Sequence, residues 1–282
     1  MGIRDAYLQF MLAVGLSLGA AAACAEPLPR IVSLSPHITE LLFAAGAGER
    51  IVGVDDLSDY PPAAAAIAHV GEITALDIEA LLKLKPTLII LWESGTPERR
   101  KAELERLNLR LYVTEQRHLD DIGSSLIEFG RLAGTLPVAE AAARKYQDEL
   151  QRLRMHYAAR PKLSVFYQVW DRPLYTLSGK QVLSEVLNLC GGENIFADLS
   201  TLAPAVDREA VLARNPDVIV IGASGADGAR QVRDWDRFPA LAAVRTHRVF
   251  TVDPSLTSRM SPRILDGVQA LCGILDQARA AR

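Results

Sequence analysis

The chain has 282 residues, 49% of them hydrophobic and 23% charged, and its formal net charge is −3 at pH 7. This is the composition of an ordinary globular protein with enough apolar residues for a core, and the length predicts about two domains. A small negative charge gives no basic field for nucleic acid, so the composition excludes a nucleic-acid partner.

Residues 1–25 have the pattern of a secretory signal peptide. Arg4 precedes an apolar stretch over residues 6–23, and Ala-Cys-Ala at 23–25 resembles a cleavage site. We therefore predict cleavage after residue 25 and export. Two other interpretations are open. The stretch is about long enough to anchor the chain in a membrane, and cleavage before Cys24 would leave that cysteine for lipid attachment.

Residues 26–135 alternate short apolar runs with helical stretches. The apolar runs, which predict strands, are 30–34, 51–54, 88–92 and 110–113. The predicted helices are 39–45, 78–84, 97–107 and 119–133. Strands that are apolar on both faces and alternate with helices indicate an α/β lobe.

The pattern changes over residues 136–160, which we predict to form one long connecting helix. Residues 138–159 contain neither Gly nor Pro and are rich in good helix formers. Pro137 fits the first turn and Pro161 ends the helix. At 1.5 Å per residue the helix spans roughly 30 Å, so it would connect two lobes stiffly. The alternative is one more surface helix of a single domain.

The α/β pattern resumes over residues 161–282. Predicted strands are 163–167, 218–221 and 248–252, and predicted helices are 182–189, 208–213 and 261–278. The predicted fold class is α/β, with two Rossmann-like lobes joined by the single long helix and a ligand cleft between the lobes.

An internal repeat supports two related lobes. Residues 76–90 and 206–220 each contain an Asp that can cap a helix, a short helix, a Pro and a buried strand. Glu79 and Glu209 occupy matching places in the first helical turns. Either they complement the helix dipoles, or they form a docking pair for a dimeric partner with two basic sockets.

The sequence contains no enzyme signature that we can identify. After residue 25 it has no G-x-S-x-G, H-E-x-x-H or P-loop motif, and its five histidines are dispersed. We therefore predict no catalytic residue, no catalytic cofactor and no metal site, and interpret the chain as a binding protein rather than an enzyme.

Large aromatic residues follow several predicted strands. Tyr60 comes after the strand at 51–54, Trp92 ends the strand at 88–92, and Trp170 follows the strand at 163–167. Ligands of open α/β sheets bind beyond the carboxyl ends of strands, and large rings offer flat apolar contact area. We predict that these residues line a ligand cleft, although each ring could instead pack on its own lobe.

Several motifs resemble those of the periplasmic proteins that bind cobalamin, haem or iron siderophores for ABC importers. Arg-Ile-Val-Ser-Leu-Ser-Pro at 30–36 is shared by this whole family, whereas Ser-Asp-Tyr-Pro-Pro at 58–62 and Trp92 resemble the cobalamin-binding members. The most specific segments are Cys-Gly-Gly-Glu-Asn-Ile-Phe at 190–196, Arg-Glu at 208–209, and Ser-Pro-Arg at 261–263, which leads to Cys272. The resemblance covers essentially the whole chain after residue 25.

The resemblance implies a periplasmic protein that captures cobalamin as cargo and delivers it to the transmembrane permease dimer of an ABC importer with its ATPase subunits. It implies a monomer when the protein is free. The alternative is the same fold binding haem or a ferric siderophore, in which Tyr60 could ligate haem iron and Arg259 could meet siderophore charge.

The resemblance also implies residue roles. Glu79 and Glu209 match the acidic docking position of each lobe, and Cys190 and Cys272 match a cysteine pair, for which we predict a disulfide. Leu57 stands where a pocket tyrosine is expected. The predicted ligand-binding residues are Leu57, Tyr60, Trp92, Trp170, Ser255, Leu256, Thr257, Ser258 and Arg259. In the segment 255–259 the family's aromatics are missing and Arg259 alone agrees.

Overall fold

The computed structural model describes residues 28–280, and its first half is built on a four-stranded parallel sheet. The strand order is β2-β1-β3-β4. These strands are β1 (Ile31–Ser33), β2 (Ile51–Val54), β3 (Leu88–Trp92) and β4 (Leu111–Thr114). The helices of this N-terminal lobe are α1 (Pro36–Ala44), α2 (Ile78–Lys83), α3 (Glu98–Glu105) and α4 (Leu119–Ala133). Helices cover both faces of the sheet, and for this reason the central strands β1 and β3 are apolar except at Ser33.

The second half repeats this architecture with strand order β10-β9-β5-β8, again all parallel. Its strands are β5 (Leu163–Gln168), β8 (Gly192–Asn194), β9 (Val218–Gly222) and β10 (Val249–Val252), with a small antiparallel hairpin of β6 (Trp170–Asp171) and β7 (Leu174–Tyr175). Its helices are α6 (Val182–Leu189), α7 (Arg208–Arg214), α8 (Gly225–Trp235), α9 (Ala242–Arg245), α10 (Pro254–Thr257) and α11 (Ile264–Ala280). The predicted α/β architecture with two lobes is confirmed.

Helix α5 (Leu136–Tyr157) lies between the two sheets in the chain. Its buried residues recur every three or four positions and form one apolar face. That face packs against α4 of the N-terminal lobe and against α6 and α11 of the C-terminal lobe. Arg154 adds a polar link, because it pairs with Asp120 at 2.8 Å and with Glu185 of the other lobe at 3.0 Å. The helix therefore contacts both lobes along its length.

Close packing of α4 on α5 depends on Gly130. A Cβ at this position would lie 2.2 Å from the Cβ of Ala139, so only glycine allows this approach. The turn between the two helices is made by Gly134, whose φ of 74° is in the left-handed region that glycine adopts without steric cost. These two glycines set α4 and α5 side by side.

The repeated segments have the predicted local structure. The carboxylate of Asp77 accepts the backbone N–H of Ala80 at 2.9 Å at the start of α2, and Asp207 accepts that of Ala210 at 2.7 Å at the start of α7. Each cap satisfies one of the helix N–H groups that lack an intrahelical partner. The two helices therefore begin in the same way in the two lobes.

Several structural features differ from the sequence predictions. The hairpin β6–β7, the edge strand β8 and the short helices α9 and α10 were not predicted. Strand β8 consists of Gly, Glu and Asn, which have low strand propensity. Helix α11 begins at Ile264 rather than at residue 261, since Ser261 and Arg263 contact the other lobe instead. The predicted signal peptide and Cys24 lie outside the described residues. Among residues 28–280, no helix is both long and apolar enough to cross a membrane.

Cys190 and Cys272 form a disulfide, as predicted, with Cα atoms 4.8 Å apart. Cys190 follows α6 and Cys272 lies within α11, and both are fully buried in the C-terminal lobe. The bond joins residues separated by 82 positions, so it restricts a long loop of the unfolded chain.

Replacing both cysteines by alanine is expected to lower the free energy of unfolding by about 4–5 kcal/mol, from the entropy of closing a loop of this length. The measurement is urea unfolding of the wild type and the double variant, each with and without reductant. Reductant should shift only the wild type. Equal wild-type midpoints in both conditions would contradict a stabilising disulfide.

Candidate functional site

A cavity of about 920 Å³ lies between the two lobes. It is bounded by residues at or just beyond the carboxyl ends of strands: Trp92 ends β3, Glu115 follows β4, Val169 follows β5, Gly222 ends β9 and Pro254 follows β10. This is the edge at which open α/β sheets bind ligands. Both lobes therefore contribute their strand ends to one cleft.

A second cavity of about 380 Å³ adjoins the first, and the two share His37, Trp92 and Ser258. Its other lining residues are Ser35, Pro36, Asp56, Leu57, Asp59 and Arg259. The first cavity is lined mainly by uncharged and apolar side chains, with Glu115, Arg117, Lys180 and Glu185 as the charged exceptions and His118 the other histidine. Such a mixture suits a large ligand with apolar surface and a few polar groups.

Trp92 is the large aromatic residue common to both cavities. Its side chain is partly buried, and its indole Nε1 donates to Glu115 Oε1 at 3.2 Å. The His37 ring meets it edge to face with the ring centroids 5.2 Å apart. The prediction that Trp92 lines a cleft between the lobes agrees with this position.

His37 is a site residue that the sequence analysis missed. It lies just beyond the carboxyl end of β1, and its Nδ1 is 2.8 Å from the Ser35 hydroxyl. Burial, and secondarily the Arg259 charge, lower the pKa of His37 to about 4, so the ring is neutral near pH 7. The five histidines are dispersed in the sequence, so no histidine motif indicated His37. Its position shortly after the first predicted strand could have indicated that it lies near the cleft.

Stability is expected to fall with acidification because of His37. Its pKa is about 6.5 when unfolded and about 4 when folded, so between these values the unfolded chain binds more protons. The free energy of unfolding should therefore decrease from pH 6.5 to pH 4, by at most about 3 kcal/mol from this residue. Urea unfolding at pH 7 and pH 4.5 tests this. His37→Gln should reduce the slope and the exposed-site control His156→Gln should not; equal slopes for all three proteins would refute the assignment.

The structure brings only some of the predicted ligand-binding residues to the cavities. Trp92, Thr257 and Ser258 line the first, and Leu57, Trp92, Ser258 and Arg259 line the second. Thr257 is buried and its hydroxyl is 3.0 Å from that of Tyr167, so it contributes to the wall from within the lobe.

Four predicted residues lie outside both cavities. Trp170 is 61% exposed in the β6–β7 hairpin and donates to the carbonyl of Arg172. Tyr60 packs under the guanidinium of Arg263, 3.9 Å from the ring centroid. Ser255 and Leu256 belong to α10, which packs on α11. For Tyr60 the contact is with a residue about 200 positions away in the chain, which the sequence pattern does not indicate.

A buried carboxylate links the lobes beside the second cavity. Glu40 of α1 accepts from Arg259 at 2.9 Å and from Arg263 at 3.1 Å, and from the Ser261 hydroxyl at 2.5 Å. Arg259 also donates to Asp59 at 2.5 Å, which keeps the pKa of that carboxyl below its usual value. The charge of Arg259 is therefore already neutralised by two carboxylates of the other lobe. The sequence interpretation, in which Arg259 could meet the charge of a siderophore, did not anticipate these partners.

Glu79 and Glu209 are both exposed and lie in the first turns of α2 and α7. Neither carboxylate caps its helix, because Asp77 and Asp207 do so. Glu79 pairs with Lys83 one turn later at 2.7 Å, on a fully hydrated surface. The two residues lie away from the cavities, one on each lobe.

No group of three or more His, Cys, Asp or Glu residues in the described part of the chain is arranged to hold a metal ion. The arrangement is that of a cleft with aromatic, amide and apolar walls. A family model described as "Periplasmic binding protein" matches residues 31–256.

The chain belongs to the family of periplasmic binding proteins. It is 37% identical over 257 residues to the vitamin B12-binding protein of Vibrio cholerae serotype O1, covering 90% of this chain and 92% of that protein. It is 36% identical over 260 residues to the vitamin B12-binding protein of Yersinia pseudotuberculosis, covering 92% and 91%. These relatives are named as binding proteins, not as enzymes.

Solved structures show the same fold. The periplasmic vitamin B12 binding protein of Vibrio cholerae superposes with a TM-score of 0.82 at 36% identity, covering 90% of this chain and 98% of that one. A periplasmic haem-binding protein from Pseudomonas aeruginosa superposes with a TM-score of 0.75 at 27% identity, covering 87% and 92%. The chain therefore shares its fold with a protein that binds vitamin B12 and with a protein that binds haem.

Proposed function

We propose that this protein captures cobalamin in the periplasm and delivers it to the permease of an ABC importer, without catalysing a reaction. The observation that carries the proposal is the cleft between the lobes, about 920 Å³ in volume, with Trp92 on its wall. That volume is near the upper end of the roughly 300–1,000 Å³ range of ligand pockets, as a large macrocycle requires. Similarity to vitamin B12-binding proteins over nine-tenths of the chain supports the choice of ligand.

The proposed partner is a transmembrane permease dimer with its ATPase subunits, approached by a monomeric binding protein. Two exposed carboxylates, Glu79 and Glu209, stand on equivalent helices of two related lobes. A permease dimer with twofold symmetry would present two equivalent surfaces to such a pair. The proposed export to the periplasm rests on the predicted signal peptide at residues 1–25. We propose that residues 26–135 form the N-terminal lobe, residues 136–160 the connecting helix and residues 161–282 the C-terminal lobe.

Haem is the second candidate, favoured by the fold of the Pseudomonas aeruginosa haem-binding protein. An iron-ligating tyrosine would have to lie in the cleft and lose its proton. Tyr60 lies under Arg263 outside both cavities. Tyr167 does line the first cavity, but burial raises its pKa to about 12, and its hydroxyl is bonded to Thr257. Neither tyrosine is placed as an iron ligand, so cobalamin is the better-supported cargo.

Calorimetric titration of the protein lacking residues 1–25 with cyanocobalamin, haemin and ferrichrome tests the choice. We expect one cyanocobalamin per protein, bound at least tenfold more tightly than either of the others. Tighter binding of haemin, with a shift of its absorption band, would replace cobalamin by haem as the cargo.

A further inference from the structure

The position of the Trp92 indole depends on a carboxylate from the neighbouring strand. Strands β3 and β4 are parallel, with Trp92 opposite Thr114, so Glu115 emerges one residue beyond the sheet beside Trp92. Glu115 Oε1 accepts the indole N–H at 3.2 Å. Its Oε2 accepts from the backbone N–H and the hydroxyl of Ser94, at 2.9 and 2.7 Å. One carboxylate therefore holds both the indole and the loop that follows it.

The other side of the indole is fixed by packing. A Cβ at Gly95 would lie 2.0 Å from Trp92 Cε3, so the ring rests directly on the backbone of that loop. His37, in the first turn of α1, contacts the ring edge to face. With the N–H bonded and both neighbours in contact, the indole has one favourable orientation in the cleft.

The bonds to Glu115 are not part of an ion pair. Within residues 28–280 its side chain bonds to Trp92 and Ser94, and no cationic group approaches it within salt-bridge distance. A carboxylate placed at a cavity wall without a cation loses hydration when a ligand covers it, so its hydrogen bonds must compensate. The Glu115 carboxylate accepts one backbone N–H, one hydroxyl and one indole N–H, which fits a positioning role.

We propose that Glu115 is a positioning residue that fixes the orientation in which Trp92 meets the ligand, with Gly95 providing the space behind the indole. The effect of Glu115 on ligand affinity rests on the proposed function. A side chain that is ordered before binding does not lose its rotamer freedom when the ligand arrives, which otherwise weakens binding by about 2–10-fold for one side chain. Glu115 thus acts on the ligand through Trp92.

The test combines affinity with a signal from the indole itself. The sequence has three tryptophans, so a ¹⁵N-labelled sample gives three indole N–H cross peaks, and Trp92→Phe identifies the one from Trp92. Glu115→Ala should shift that peak, speed its exchange with water, and weaken cyanocobalamin binding by about 2–10-fold. Glu93→Ala is the matched control, since Glu93 pairs with Lys101 instead. It should change neither readout.

A double-mutant cycle separates positioning from direct ligand contact. In a Trp92→Phe background there is no indole N–H, so Glu115→Ala should cause no further loss of affinity. Additive losses would overturn the proposal, as would an unchanged Trp92 peak in Glu115→Ala. If Glu115→Ala does not fold, Gly95→Ala is the alternative variant, because its added methyl group would push on the opposite side of the Trp92 indole. It must shift the same Trp92 peak and weaken cyanocobalamin binding. If the wild type binds no cobalamin, the proposed function fails, while the Trp92 peak still reports whether Glu115 holds the indole.

Discussion

Trp92→Ala is expected to weaken cobalamin binding by about thirtyfold or more while leaving the protein folded. The indole is shared by both cavities and partly exposed to them, so a flat ligand in the cleft can stack on it. Truncating a central aromatic contact of this kind costs roughly 2 kcal/mol or more of binding free energy. Calorimetric affinity and the thermal midpoint should be measured on the same samples.

The other two tryptophans are matched controls for this experiment. Trp170→Ala removes a ring that is 61% exposed outside the cavities, so affinity and midpoint should change little. Trp235→Ala removes a ring that is 2% exposed and bonded to Gln168, so it should lower stability by roughly 3–5 kcal/mol. If Trp92→Ala resembles Trp235→Ala, with a large drop in midpoint and unchanged affinity, Trp92 is a core residue and not a ligand contact.

The Trp170→Ala variant also tests whether the predicted role of Trp170 or its observed position outside the cavities is the better guide to ligand binding. The sequence predicted Trp170 as a ligand-binding residue, whereas the structure places it on a hairpin outside the two cavities. Its neighbour Val169 does line the cavity. An affinity loss for Trp170→Ala as large as that for Trp92→Ala would mean that the hairpin reaches the bound ligand.

The fold could be predicted from sequence because its determinants are local. Apolar runs such as 88–92 and 218–222 are buried on both faces, and Asp77 and Asp207 mark helix starts by a bond to the third residue on. These signals lie within a few residues of one another. Strand β8 was not predicted because its residues have low strand propensity, and it is a strand only through its pairing with β5.

The site was predictable only in part because its determinants are remote in the chain. Arg259 lines the second cavity, but its partner Glu40 lies 219 residues away, and nothing local to either residue indicates the pair. Tyr60 looked like a ligand contact by its place after a strand, yet Arg263, about 200 residues on, covers its ring. Contacts across the lobes depend on how the lobes meet, which no local pattern encodes.

Reversing both carboxylates of the proposed docking pair, Glu79→Lys with Glu209→Lys, is expected to abolish cobalamin uptake and leave cobalamin affinity within twofold of the wild type. Both residues are exposed and remote from the cavities, so ligand contacts are untouched. Facing basic sockets on a permease, each reversed charge turns attraction into repulsion, which costs several kcal/mol at an interface. Stability should fall by no more than about 1 kcal/mol for each change, since exposed charges near helix ends contribute little.

The ion pair of Glu79 with Lys83 does not oppose docking. Both side chains are more than two-thirds exposed, and an exposed pair of this kind contributes only about 0.3–0.5 kcal/mol, so a basic socket of the proposed partner can replace Lys83 beside Glu79 at little cost. Binding to the permease should weaken as salt is added, because charges at an interface rim are screened over roughly 8 Å at physiological ionic strength.

Glu98→Lys is the matched control for the charge reversal. Like Glu79, Glu98 lies exposed in the first turn of a short helix and pairs with a lysine, Lys101, at 2.8 Å, but it has no counterpart in the repeat. Uptake should be measured in cells lacking their own cobalamin-binding protein, alongside affinity of each purified variant. The control should transport normally. Normal uptake by the double variant would leave Glu79 and Glu209 as helix-dipole partners and would overturn the proposed electrostatic docking.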